Sequence, residues 1–152
     1  MSNTHSVFVY GTLLFPEVTA GLGIVSAEDG SDESVAVLSS DAVLHGYERF
    51  KVQLRKEANF PAIVSANDKS VSGRLLQQVT DESLHRMDAF EGITDSYYSR
   101  ELVTVAIEEG EVEAWTYVCG DRLRSYLDGT WDAEQFRQSE LEWYLANVVT
   151  GR

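Results

Sequence analysis

The chain has one cysteine, few basic residues and no apolar run approaching the roughly 20 residues of a membrane span. Each shortage excludes something. The single Cys119 cannot form an intramolecular disulfide, which fits a reducing compartment and leaves the core to hold the fold. It follows the apolar run Trp115, Thr116, Tyr117, Val118 and reads as a small buried hydrophobe, since no His or Lys sits close in sequence to activate the thiol. Lys and Arg number 12 against 25 Asp and Glu, a formal net charge of −13. Such a surface repels phosphate backbones and anionic bilayers, so neither nucleic acid nor a membrane is expected as a partner. No block of Lys and Arg reverses this locally. No secretory signal is visible: Met1 to Ser6 is polar, and the apolar stretch from Val7 to Phe15 is broken by Gly11 and Thr12 and stopped at Pro16. A cytoplasmic location is expected.

What is present suits one domain over residues 1–152, with 43% hydrophobic residues and an aromatic share of 11% that fills a core or lines a pocket. Val7 to Tyr10 reads as a buried strand entering a tight turn at Gly11. Pro16 opens a short helix through Leu22, with Val18 and Leu22 on one face. Ser26 to Ser34 is acidic and reads as a solvated loop without the alternation of a metal-binding loop. Strands are expected over Val43 to Leu54, Ala62 to Ala66 and Val71 to Val79, with turns at 56–59 and 67–69. Pro61 fits a strand start. Tyr98 to Ile107 and Val112 to Val118 form a hairpin turning at Glu109 and Gly110. Asp81 caps a helix that runs to about Phe90 and stops at Gly92. Asp132 with Gln135 opens a final helix carrying Leu141, Tyr144, Leu145 and Val148 on its core stripe.

Many strands and few helices, without βαβ alternation, predict an α+β fold. A curved, largely closed sheet would remove exposed edges and supply a cavity mouth.

The short helix carries the most telling chemistry. Leu84, Met87 and Glu91 share one stripe, so a carboxyl lies among apolar side chains in the last helical turn. Burial and the negative end of the helix dipole both oppose its ionisation. A carboxyl held near neutrality is what acid–base chemistry requires. Asp88, four residues after Leu84, competes for the same role, and an exposed, frayed helix end is the bland alternative. Geometry alone leaves these open. The turn Tyr10-Gly11-Thr12-Leu13 follows a buried strand, and its successive N–H groups can form a concave site for a carboxylate or an oxyanion.

Four segments together resemble the γ-glutamylcyclotransferase-like family. Tyr10-Gly11-Thr12-Leu13 is similar to its YG[ST]L signature. Met87-Asp88-Ala89-Phe90-Glu91-Gly92 resembles its LDxxEG segment, with Met for Leu. Tyr98-Ser99-Arg100 matches a Y-x-R that opens the next strand, and Ala114 to Val118 resembles a later A-x-x-Y strand. His45 to Phe50, Phe60 to Val64 and Gly129 to Asp132 point to the avirulence-induced-gene-like branch.

The resemblance implies a small mixed, largely closed β-barrel flanked by helices, and cyclisation of a γ-glutamyl group to 5-oxoproline with release of an amine. It requires no cofactor and no metal, and the partner is a small-molecule γ-glutamyl substrate. Carried over by position, the catalytic glutamate falls on Glu91. Tyr10, Gly11, Thr12 and Leu13 fall on the turn that binds the substrate carboxylate or stabilises the oxyanion. Tyr98 and Tyr117 are candidate pocket residues offering hydroxyl donors; Arg100 is a candidate for the substrate or for a structural ion pair. Two other classes remain open: a non-catalytic module that binds a small metabolite in the same pocket, and an interaction protein acting through the acidic loop from Glu28 to Glu33. The leaving amine and the oligomeric state are not readable from the chain.

Overall fold

The structure is a computed structural model that describes residues 4–24, 38–53 and 59–149. Val7, Phe8 and Val9 are all buried, so strand β1 (Thr4–Val9) is covered on both faces, as its unbroken apolar run requires. Its side chains divide between two cores. Phe8 joins Leu44, Ile63, Leu75, Val105 and Ala114, residues drawn from all five strands, inside the sheet. Val7 and Val9 face the other way and pack with residues of every helix, including Val18, Met87, Phe136 and Leu141. Each fully buried side chain of this size contributes about 1.5–3 kcal/mol before the entropy of ordering it is counted.

The remaining strands are β2 (Leu38–Val52), β3 (Phe60–Thr80), β4 (Tyr98–Ile107) and β5 (Gly110–Cys119). They form a ring in the order β1-β3-β2-β4-β5. β2 and β3 pair antiparallel along most of their length, and β4 and β5 pair from Tyr98↔Cys119 to Ile107↔Gly110. The two other seams are narrow. One antiparallel pair, Val43↔Ala106, joins β2 to β4, and one parallel pair, Val7↔Trp115, joins β1 to β5. The mixed α+β fold with a ring-like sheet is therefore observed.

Helix α1 (Pro16–Leu22) has the expected bounds, with Val18 and Leu22 buried. Several boundaries differ. No turn divides β3 at 67–69. Pairing passes from His45↔Ser70 to Tyr47↔Ser65, so Ala66 to Lys69 bulge opposite the single Gly46. Asp68 takes a left-handed φ of 63° there. The polar triplet that signals a turn serves a bulge equally well, because the long partner strand holds both halves in line. β2 begins before Val43, since its ladder reaches Leu38↔Gln77.

Helix α2 (Asp81–Glu91) is capped by Thr80, not Asp81: the Thr80 hydroxyl accepts from the Ser83 N–H at 3.1 Å. Asp81 instead stands in the first turn, where its charge suits the helix dipole. Asp132 does cap α3 (Ala133–Ser139), accepting from the N–H groups of Glu134 and Gln135. The final helix is broken, however. α3 ends at Ser139, α4 (Leu141–Tyr144) follows after Glu140, and Leu145–Val149 continues as a wider π turn. The acidic loop expected at 26–34, and residues 54–58 of the strand end and turn, lie outside the described residues. Among the described residues no helix is long and apolar enough to cross a membrane. Cys119 is a buried free thiol.

An aromatic chain ties the helices to one end of the ring. Phe15 stacks on Phe136 at 5.5 Å, Phe136 meets Tyr144 edge-on at 5.4 Å, and Tyr144 meets Phe90 edge-on at 6.2 Å. Phe15 precedes α1, Phe90 lies in the last turn of α2 and Tyr144 ends α4. Their contacts fix one wall of a cavity.

Candidate active site

Leu84 and Met87 anchor α2 against the outer core. That fixes the azimuth of Glu91 one turn later. Gly92 stops the helix with φ 67°, its N–H bonding back to Ala89, a left-handed step that side-chain-bearing residues adopt at a cost. Glu91 thus reaches a cavity of about 210 Å³ from the negative end of a helix. Glu91 is half-buried as a residue, but its carboxyl is removed from bulk water. Burial first, and the negative charge of Asp88 second, raise its pKa to about 8. Among the described residues it makes no hydrogen bond or ion pair with the protein.

The turn from Tyr10 to Leu13 forms part of the same wall. Gly11 is required here by space. A Cβ on it would stand 2.4 Å from Pro61 Cγ, so strand β3 and the turn touch through a missing side chain. A short 3-10 turn, Thr12–Leu14, then bends the chain away, with Leu14 N–H on Gly11 O and Phe15 N–H on Thr12 O. The N–H groups of Gly11, Thr12 and Leu13 make no such bond among the described residues. They are the donors this turn has left to offer.

Tyr98 and Tyr117 also line the cavity, but their hydroxyl hydrogens are already engaged. Tyr98 donates to Pro61 O at 2.7 Å, and Tyr117 donates to Asp88 Oδ1 at 2.8 Å. Tyr10 donates to the Tyr117 carbonyl. The donor role expected of Tyr98 and Tyr117 is therefore taken up within the protein. Burial, before any other cause, holds all three phenols above their ordinary pKa, so they keep those hydrogens.

Arg100 is not part of the cavity wall. Its Nε lies 3.5 Å from Asp88 Oδ1 and its guanidinium stacks 4.4 Å from the Trp115 ring. Asp88 is engaged by both Arg100 and Tyr117, and it too is off the wall. Of the two carboxyls that helix geometry left equal, only Glu91 faces the cavity.

Other wall residues carried no site signal of their own. Phe60, Pro61, Phe90, Tyr97, Tyr144 and Val148 are among them, beside Phe8 and Val9 of β1. Tyr144 had been placed on a core stripe, and its hydroxyl reaches Thr12 Oγ1 at 3.3 Å. Arg49 donates from Nη1 to Tyr10 O at 2.7 Å and lies over Trp131 at 5.6 Å, pinning the turn from behind. For Arg49 and Pro61 the clue was indirect: they stand in the segments 45–50 and 60–64 that carried the resemblance.

The profile of the family described as gamma-glutamyl cyclotransferase, AIG2-like, matches residues 7–133. The protein named AIG2 C from Arabidopsis thaliana is 34% identical over 146 residues, covering 93% of this chain and 78% of its own. A solution structure of an Arabidopsis thaliana protein superposes with a TM-score of 0.65 at 30% identity, covering 97% and 82% of the two chains. A structure titled gamma-glutamyl cyclotransferase superposes with a TM-score of 0.64 at 19% identity, covering 84% and 70%, a likeness of fold. By profile, identity and coverage, the chain belongs to the gamma-glutamyl cyclotransferase, AIG2-like family.

Proposed function

We propose that the protein is a γ-glutamylcyclotransferase acting on a γ-glutamyl amine or peptide, with Glu91 as general acid and base. The observation that carries this reading is the Glu91 carboxyl, free of partners among the described residues and raised to about 8, in a cavity it shares with a turn of open N–H groups.

The reaction needs no water and no second substrate. The α-amine nitrogen attacks the γ-carbonyl carbon, the new C–N bond closes a five-membered ring, and the old C–N bond breaks to give 5-oxoproline and the free amine. One proton must leave the attacking nitrogen and one must reach the departing nitrogen. Glu91 performs both transfers. Its pKa of about 8 is far nearer to that of an aliphatic ammonium than an ordinary carboxyl's, so a proton passes from the α-ammonium to Glu91 at much lower cost. This leaves a neutral nucleophilic amine beside a neutral acid ready to protonate the leaving group. The N–H groups of Gly11, Thr12 and Leu13 face the oxygen on which negative charge develops or the substrate carboxylate. Ring closure is already intramolecular, and the walls hold the glutamyl chain folded.

A panel of γ-glutamyl amines and γ-glutamyl dipeptides tests the reading. Release of stoichiometric 5-oxoproline and free amine from at least one of them is the expected result. Saturable binding across the panel with no 5-oxoproline would replace it with a non-catalytic metabolite-binding role.

A further inference from the structure

The hydrogen bonds of the cavity tyrosines fix what they can recognise. A phenol has one hydrogen and spare lone pairs. Tyr98 gives its hydrogen to the Pro61 carbonyl, which can only accept, and Tyr117 gives its hydrogen to the Asp88 carboxylate beside Arg100. Tyr10 gives its hydrogen to the Tyr117 carbonyl, and the Ile63 N–H also acts on its oxygen. On Tyr98 and Tyr117 no donor of the protein reaches the oxygens among the described residues. Both side chains line the cavity with Glu91, and both feel its negative charge.

We infer that the Tyr98 and Tyr117 hydroxyl oxygens, with the ionised form of Glu91, form a subsite of acceptors that takes a protonated amine. Three acceptors meet the three N–H donors of a primary ammonium. A carboxylate at the same place would find no hydrogen on either tyrosine and would be repelled by ionised Glu91. A carboxylate or carbonyl is thereby directed to the N–H groups of the Gly11 turn, and the cavity acquires a polarity with a cation end and an anion end. Identifying the amine as the α-ammonium of a γ-glutamyl substrate rests on the proposed function; the acceptor character of the two tyrosine oxygens does not. In this arrangement Tyr98 and Tyr117 bind the nucleophilic nitrogen and Glu91 exchanges its proton.

The test compares two ligands that differ only in the amine: γ-L-glutamyl-n-butylamide and its des-amino counterpart, 5-(butylamino)-5-oxopentanoate. Binding is measured by calorimetry on Glu91→Gln, where turnover is removed and a side-chain carbonyl still accepts, and on that variant combined with Tyr98→Phe or Tyr117→Phe. The ammonium ligand should bind Glu91→Gln about tenfold tighter or more, the scale of a hydrogen bond to a charged group. Either Phe change should cut that preference several-fold while leaving the des-amino ligand unchanged. Equal or tighter binding of the des-amino ligand overturns the subsite, and this comparison stands even where a Phe variant does not fold. A preference untouched by both Phe changes, or equal loss of both ligands, also overturns it. Wild-type release of 5-oxoproline is a separate readout. If it is absent while the ammonium preference holds, the catalytic reading fails and the subsite stands.

Discussion

The hydroxyl of Tyr117, on strand β5, donates at 2.8 Å to Asp88, the residue three positions before Glu91 on helix α2. Arg100 approaches the same carboxylate oxygen at 3.5 Å from strand β4. Asp88 is thus a knot between helix and hairpin, and its charge is felt by Glu91 in the adjacent cavity. Removing that charge while keeping the shape should lower the Glu91 pKa. For Asp88→Asn the acid limb of kcat/KM should move to lower pH by about half a unit to one unit. A pH profile that superposes on wild type would show that Asp88 matters only to packing.

Gly11 and Pro61 meet through the space of a missing side chain. Gly11→Ala would force a methyl into Pro61, and overpacking of this kind costs about 1–3 kcal/mol. The damage should spread to function, because the Pro61 carbonyl holds the Tyr98 hydroxyl. Urea unfolding should report the lost stability, and 5-oxoproline release should fall more steeply than the folded fraction. An alanine variant with wild-type stability would mean that the turn relaxes without consequence.

What the sequence disclosed and what it concealed divide along range. Strand β1, helix α1 and strand β4 followed from local signals: an unbroken apolar run, a proline at a helix start, a strand after a turn. Glu91 was conspicuous because a charge on the stripe of Leu84 and Met87 breaks the helical pattern. The choice between Glu91 and Asp88 was not legible from the helix. It depends on Tyr117 and Arg100, which arrive from another part of the chain. Thr80 and Asp81 both suit a cap, and the backbone angle that chose Thr80 leaves no mark in the sequence. The bulge at 66–69 was hidden because its cause is the register of a distant strand. Pro61 and Tyr144 joined the cavity through contacts 50 and 132 residues away from the turn, at Gly11 and Thr12. No periodicity encodes such contacts.

The charge balance predicts a response to salt. Glu101, Glu108, Glu109, Glu111 and Glu113 are all exposed on the β4–β5 hairpin, on a chain of net charge −13. Like charges crowded on a folded surface repel more than in an extended chain. Raising KCl from about 0.05 to 1 M shrinks the screening length from over 10 Å to about 3 Å. Thermal unfolding should shift upward by several degrees, roughly the effect of 1 kcal/mol in a domain of this size. A melting temperature that is flat or falls with KCl would show that the acidic surface is not a source of instability.

Glu91 makes a final prediction in which function and stability oppose each other. Its folded pKa of about 8 lies above the ordinary 4.5. Below the ordinary value both folded and unfolded chains carry the proton, and the favourable term of a neutral buried carboxyl is fully present. Between the two values the folded chain keeps a proton that the unfolded chain has released, so stability falls as pH rises, and by about pH 8 the term is lost. Glu91→Gln has no charge to bury. At pH 4 it should match wild type, and at pH 9 it should be more stable by on the order of 2 kcal/mol, after allowing for water in the cavity. Its 5-oxoproline release should meanwhile drop by about 100-fold or more, the usual loss of a general acid–base group. Guanidinium unfolding at the two pH values, beside a turnover assay, checks both halves. A glutamine variant that gains nothing at pH 9 would mean that Glu91 ionises freely in the folded protein, and the proton shuttle built on its reluctance would fall with it.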